Sequence, residues 1–163
     1  MEKPTLLYVD DERNNLVAFY ASFRKYYNIL TSQSGQEALD LLSTTDKDIS
    51  LIISDQRMPK MTGVQLFEHI TQRFPDPIRM VLTAFSDVAD IINAINKGKV
   101  YYYITKPWKH EDLKVVIDNA LEAYQLKSEN QSLQAEKALL ELKASRYIED
   151  ELTGQPYDAR KFG

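Results

Sequence analysis

Short apolar segments alternate with amphipathic segments of helical length along most of the chain. The apolar segments are rich in β-branched residues, and we predict that they form strands at 5–9, 27–30, 49–54, 78–82 and 100–104. The helical segments between them are 12–26, 36–42, 63–73 and 87–97. Apolar strands that alternate with helices are typical of a parallel sheet covered on both faces. The sequence therefore predicts an α/β fold, doubly wound around a five-stranded parallel sheet.

Polar side chains follow four of these predicted strands at the point where each strand ends. Asp10 and Asp11 follow the first strand along the chain, and Asp55, Thr83 and Lys106 follow the three strands that come after position 48. Ligands of an open parallel sheet bind outside the carboxyl ends of its strands. The sequence therefore predicts one site that combines carboxylates, a hydroxyl group and an amine.

The three acidic residues of this site, Asp10, Asp11 and Asp55, predict a bound cation. Carboxylates that lie close together disfavour one another's ionised form, and a divalent cation removes that conflict. Oxygen ligands, few in number and leaving room for water and a phosphoryl group, fit Mg²⁺ better than zinc or a complete calcium site. We therefore expect Mg²⁺ as the cofactor.

The same residues also predict phosphorylation chemistry. A carboxylate can act as the nucleophile that forms an acyl phosphate, and Asp55 is the candidate because it ends the most apolar strand. Phosphoryl transfer needs little from a protein beyond positioning and charge neutralisation. Lys106 would supply a positive charge for the phosphoryl oxygens, and Thr83 a hydroxyl group that binds one of them.

Five motifs occur in order along the chain: Val9-Asp10-Asp11, Ser54-Asp55, Met58-Pro59 with Gly63, Leu82-Thr83-Ala84, and Lys106-Pro107. With these motifs, the chain resembles the response regulator receiver domain of two-component signalling over about residues 5–124. The resemblance implies a flavodoxin-like sheet of strand order 2-1-3-4-5. It also implies a phosphorylation-dependent switch that accepts phosphate on Asp55 from a sensor histidine kinase or a phosphotransfer protein.

The resemblance further assigns roles to individual residues. Mg²⁺ is expected to bind the carboxylates of Asp10, Asp11 and Asp55 and the backbone carbonyl of Arg57. Lys106 is expected to pair with the phosphoryl group. The aromatic switch position of the family lies three residues before this lysine, which is Tyr103 here, and it is expected to act together with Thr83.

An enzyme of the haloacid dehalogenase type is the main alternative, since it also uses an aspartate nucleophile, Mg²⁺, a threonine and a lysine. Such an enzyme needs a second aspartate two residues after the nucleophile, and this chain has Arg57 there. A flavodoxin-like module that binds a flavin phosphate is disfavoured because the acidic residues after the first strand would repel that anion. We therefore expect no enzyme activity beyond self-phosphorylation and self-dephosphorylation.

A long C-terminal helix is predicted because residues 108–153 contain neither glycine nor proline. Its distal part has a seven-residue repeat that predicts a parallel homodimeric coiled coil, with Asn130 at an a position and a d column of Leu126, Leu133, Leu140 and Tyr147. The alternative is a solvated charged helix. The predicted organisation is a receiver domain at 1–124, a coiled-coil extension at 125–150 and a linker or disordered tail at 151–163.

The composition indicates which classes of partner the chain can bind and in which cellular compartment it is expected. The net charge is −4 with interspersed signs, so direct binding of nucleic acid is not expected. Because the chain has no cysteine and no apolar segment of about 20 residues, we expect a cytoplasmic protein that does not enter a membrane. The signal would pass through the dimerising helix to a fused output domain or to a separate effector protein.

Overall fold

The structure, a computed structural model, describes residues 2–97 and 99–154. Within this part of the chain, five parallel strands form a sheet: β1 (Thr5–Val9), β2 (Asn28–Ser32), β3 (Ile49–Asp55), β4 (Ile78–Thr83) and β5 (Tyr102–Thr105). Their order in the sheet is β2-β1-β3-β4-β5, and all neighbouring pairs are parallel. The predicted α/β fold and its strand order are confirmed.

Helices connect the strands and cover both faces of the sheet. They are α1 (Arg13–Phe23), α2 (Gly35–Thr44), α3 (Gly63–Arg73), α4 (Val88–Asn96) and α5 (His110–Thr153). A capping box formed by Thr62 and Gln65 starts α3 at the predicted residue. The last strand differs from the prediction, because β5 begins at Tyr102 and not at position 100.

Alternate side chains of the strands build two separate apolar layers. In β1, Leu7 and Val9 pack with residues of α2, α3 and α4 on one face, whereas Leu6 and Tyr8 pack with residues of α1 and α5 on the other. All residues of β3 are buried. Two buried faces explain why β1, β3 and β4 are mostly apolar.

The chain divides into two structural units between Gln125 and Leu126, so the first part of α5 belongs to one unit and the rest to the other. In its first part, Leu113 and Ile117 are fully buried in the layer that also contains α1. The helix ends at Thr153, and Gly154 follows with a φ angle of 70°, a conformation that suits glycine at a helix end. Residues 151–153 are thus helical, whereas positions 155–163 of the predicted tail lie outside the described residues.

The predicted seam residues of α5 are exposed in the single chain. The d-column side chains have exposed fractions of 59% for Leu126, 64% for Leu133, 59% for Leu140 and 52% for Tyr147, and Asn130 is exposed as well. Exposed apolar surface of this kind is typical of sites of protein–protein contact. Across residues 2–97 and 99–154, no helix combines the length and the apolar character needed to cross a membrane.

Candidate functional site

The three predicted acidic residues lie together at the carboxyl edge of the sheet. Val9 of β1 pairs with Ser54 of β3. Asp10 follows Val9 and Asp55 follows Ser54, so the two aspartates lie side by side. Asp10 and Asp55 are buried, Asp11 is exposed, and one carboxylate oxygen from each of the three lies within 4.8 Å of the others. The parallel register thus gathers the residues that the sequence predicted as metal ligands.

Asp10 is fully buried and accepts hydrogen bonds from three donors. The backbone N–H of Glu12 donates to Oδ1 at 2.9 Å, while the Tyr8 hydroxyl and the Asn15 amide donate to Oδ2 at 2.9 and 3.1 Å. Burial, together with the charge of Asp10, raises the pKa of the Tyr8 hydroxyl above its ordinary value. Sequence reasoning missed Tyr8 and Asn15, although Tyr8 precedes Asp10 by two residues and so shares its face of the sheet.

Lys106 provides the positive charge of the site. Its Nζ lies 2.7 Å from Oδ1 of Asp55 and 3.9 Å from Oδ2 of Asp10. Burial raises the pKa of Asp55 above its usual value, Lys106 opposes this shift, and the neighbouring charge of Asp10 adds to it. The site therefore holds more negative charge than one lysine neutralises.

The pH dependence of stability follows from this raised pKa. A carboxyl group whose pKa is higher in the folded chain stabilises the fold at low pH, and this contribution is lost as the pH rises through the raised pKa. We therefore expect Asp55→Asn to raise the free energy of unfolding at pH 7 by about 0.5–2 kcal/mol, measured by urea denaturation in EDTA. The gain should shrink as the pH falls towards the ordinary carboxyl value of 3.8.

Asp46→Asn is the matched control, because Asp46 is exposed and its substitution is expected to change stability by less than about 0.5 kcal/mol. A loss of stability for Asp55→Asn at pH 7 would show that the pair with Lys106 outweighs the burial of the charge.

The two predicted switch residues lie on one face of the sheet. Thr83 ends β4, is fully buried, and donates a hydrogen bond from its hydroxyl to the Ala84 carbonyl at 3.3 Å. Tyr103 of β5 pairs with Val81, which places it on the same face as Thr83. It is partly buried and packs against the layer formed with α2, α3 and α4. Tyr101, by contrast, precedes β5 and is exposed.

An ion pair that sequence reasoning missed joins the segment after β3 to the 3₁₀ helix Phe85–Asp87, which precedes α4. Nε and Nη2 of Arg57 donate to the two carboxylate oxygens of Asp87 at 2.7 and 2.8 Å. The Arg57 guanidinium keeps the pKa of Asp87 below its usual value. The position where a haloacid dehalogenase has its second aspartate thus carries the cation Arg57, which is paired with Asp87.

The segment after Asp55 is held close to the start of α3. The backbone N–H of Gly63 donates to the Gln56 carbonyl at 3.0 Å, and Gln56 Oε1 accepts a hydrogen bond from the Val64 backbone at 3.0 Å. A Cβ atom at position 63 would lie 2.6 Å from the backbone carbonyl oxygen of Asp55. Glycine is therefore required there, because any side chain would collide with the backbone of Asp55, the candidate phosphoacceptor at the end of β3.

Comparison with known proteins assigns the sequence of this chain to one family. Residues 6–118 match the family model of the response regulator receiver domain. The hydrogenase transcriptional regulatory protein HoxA of Cupriavidus necator is 34% identical over 135 residues, which cover 83% of this chain and 28% of that protein. The chain thus spans little more than a quarter of the length of this curated relative.

Solved structures give the same result. A response regulator receiver domain protein from Clostridium thermocellum superposes with a TM-score of 0.71 at 27% identity, over 76% of this chain and 98% of that one. A structure described as adenylate cyclase from Rhodopirellula baltica gives a TM-score of 0.78 at 27% identity, over 80% and 96% of the two chains. The haloacid dehalogenase alternative finds no support in these matches. The chain belongs to the response regulator receiver domain family of phosphorylation-dependent signalling switches.

Proposed function

We propose that Asp55 is the phosphoacceptor of this switch and that phosphorylation depends on Mg²⁺ at the acidic cluster. The observation that carries this proposal is the position of the Asp55 carboxylate. It lies 2.7 Å from the Lys106 ammonium group and shares a cluster of oxygens within 4.8 Å with Asp10 and Asp11. A largely buried carboxylate with one cation and two further carboxylates beside it is suited to phosphoryl transfer.

The donor set of the cluster fits Mg²⁺. Carboxylate oxygens are hard ligands, and an exposed Asp11 beside two buried aspartates leaves an open side for water and a phosphoryl group. Asp10, Asp11 and Asp55 would hold the ion, together with the backbone carbonyl of Arg57. When bound, Mg²⁺ would neutralise the clustered negative charge and that of the incoming phosphoryl group.

The proposed step transfers a phosphoryl group from a phosphohistidine. One oxygen of the ionised Asp55 carboxylate attacks the phosphorus, and the new O–P bond forms as the P–N bond breaks. The histidine nitrogen keeps the electron pair of that bond, and the proton already on the other ring nitrogen leaves the imidazole neutral. Lys106, which contacts Asp55 before transfer, would then pair with the phosphoryl oxygens.

The proposed switch couples this charge to the neighbouring strands. The Thr83 hydroxyl, which now donates to the Ala84 carbonyl, would turn to a phosphoryl oxygen. Tyr103 lies on the same face and would move into the space that Thr83 leaves, which changes the surface of α4, β5 and α5. Such a device is a local charge that biases a packing element with two arrangements.

The proposed partners follow from this chemistry. A sensor histidine kinase or a phosphotransfer protein would supply the phosphoryl group. The exposed d column of Leu126, Leu133, Leu140 and Tyr147, with Asn130 at an a position, supports a homodimeric coiled coil that passes the change along α5. The receiver would act on a fused output domain, because the match covers only 28% of the HoxA transcriptional regulatory protein, or on a separate effector, and would catalyse no reaction on other substrates.

Lys106→Ala tests the proposed coupling, with Trp108 as the reporter. Trp108 lines a cavity of about 430 Å³ together with Tyr8, Asn15 and Lys106, which contact Asp10 or Asp55, so its fluorescence should change when an anion binds beside the acidic cluster. With Mg²⁺ and beryllofluoride as a phosphoryl mimic, we expect a saturable response in the wild type and the loss of most of it in Lys106→Ala. The reason is that the alanine variant cannot pair with the added anion.

Lys109→Ala is the matched control, because Lys109 is exposed and lies outside the cluster. Circular dichroism should show that both variants are folded. A full wild-type Trp108 response in Lys106→Ala would refute the role given to this lysine.

A further inference from the structure

The Tyr8 hydroxyl is a polar group at the end of an apolar layer. The Tyr8 ring is buried and stacks on Phe19 with ring centroids 4.2 Å apart. A buried phenol usually has a hydrogen-bond partner for its hydroxyl, and here the partner is Oδ2 of Asp10 at 2.9 Å. Tyr8 thus belongs to the apolar layer between the sheet and α1 and also contacts the acidic cluster through its hydroxyl group.

Asn15 approaches the same oxygen from α1. Its amide donates to Asp10 Oδ2 at 3.1 Å, so two side-chain donors occupy this oxygen. Oδ1 accepts only the backbone N–H of Glu12 among the described residues. The donors therefore fix the plane of the carboxylate and leave Oδ1 as the oxygen with free capacity for a cation.

We propose that Tyr8 and Asn15 are positioning residues that hold Asp10 in the orientation needed to bind Mg²⁺. This inference rests on the proposed function, since it deepens the role given to the acidic cluster. The terminal torsion of an aspartate side chain is broad, and a carboxylate without fixed donors would turn towards Lys106, whose Nζ lies 3.9 Å from Oδ2. Second-layer hydrogen bonds that orient a ligand commonly change metal affinity by about 10–100-fold.

The sign of the change in Mg²⁺ affinity after removal of these donors distinguishes two roles, positioning of the carboxylate and competition for it. Tyr8 and Asn15 also withdraw electron density from Oδ2, so their loss would strengthen Mg²⁺ binding if they acted only as competitors for the carboxylate. Positioning predicts weaker binding after their removal, and competition predicts tighter binding.

The test is a titration of the full chain with Mg²⁺ in the absence of any phosphodonor. Binding is monitored through the shifts of backbone amide resonances in NMR spectra. We expect the dissociation constant for Mg²⁺ to rise about 10-fold or more in Tyr8→Phe and to rise in Asn15→Ala as well. In a separate assay with acetyl phosphate, the labelling rate of both variants should recover towards the wild-type rate at saturating Mg²⁺. A change in the Mg²⁺ requirement with little change in the limiting rate separates positioning from general damage to the fold.

The chain offers a matched control for each variant. Tyr27 is buried in the same apolar layer, and its hydroxyl donates to the carboxylate of Asp118, away from the cluster. Tyr27→Phe removes the same type of hydrogen bond, so it should lower stability and leave Mg²⁺ affinity unchanged. Asn14 is the exposed neighbour of Asn15, and Asn14→Ala should change neither property.

Each outcome decides the proposal. Weaker Mg²⁺ binding in Tyr8→Phe, but not in Tyr27→Phe, supports it. Unchanged or tighter binding in Tyr8→Phe, with normal binding by the wild type, overturns the positioning role and leaves the metal site intact. Absence of Mg²⁺ binding by the wild type overturns both this inference and the proposed metal site.

Discussion

Asp55→Asn is expected to abolish phosphorylation of the chain by acetyl phosphate. The amide cannot attack phosphorus as a carboxylate does, whereas its size is almost the same, so the variant keeps the packing around β3. With Mg²⁺ present, intact-mass spectrometry should show addition of one phosphoryl group to the wild type and none to the variant. Omission of Mg²⁺ should also prevent labelling of the wild type, because Lys106 alone does not neutralise the cluster.

Asp46→Asn serves as the control here too, since Asp46 is an exposed aspartate and its substitution should leave labelling at the wild-type level. Equal labelling of Asp55→Asn and the wild type would remove Asp55 from its proposed role. Peptide mapping of the labelled protein would then identify the residue that carries the phosphoryl group.

Leu133→Lys is expected to dissociate the proposed homodimer. Leu133 lies in the middle of the d column with 64% of its side chain exposed in the single chain, and burial of one leucine is worth about 1.5–3 kcal/mol. A parallel dimer would lose two such leucines and would bring two ammonium groups together. We therefore expect dimerisation to weaken by about 100-fold or more, measured by sedimentation equilibrium.

Leu142→Lys is the matched control, because Leu142 is on the same helix and 52% exposed but lies outside the a and d columns. It should leave the dimer unchanged. A chain that ends at Gln125, where the first structural unit ends, should be monomeric at concentrations at which the full chain is dimeric. If the shortened chain dimerised as tightly as the full chain, α5 would be a solvated charged helix, and the first unit would contain the interface.

The sequence alone was sufficient to predict the sheet and the residues at its edge. A strand such as β3 that is buried on both faces is mostly apolar, so the sequence indicates where it lies. Asp10, Asp55, Thr83 and Lys106 follow or end the strands β1, β3, β4 and β5, and a parallel sheet brings all carboxyl ends to one edge. Their proximity needed no information about side-chain conformation, which is why the sequence predicted this cluster.

Tertiary structure decided which groups act on that cluster. Tyr8 shares the face of Asp10 in the sequence pattern, but only the structure shows that its ring stacks on Phe19 of α1 and that its hydroxyl donates to Asp10. Arg57 and Asp87 are 30 residues apart in the chain, and their contact depends on the approach of the segments after β3 and β4, which no local pattern encodes. Local periodicity determines which face a residue occupies, whereas hydrogen bonds between distant side chains depend on rotamers that are selected only when the helices pack on the sheet.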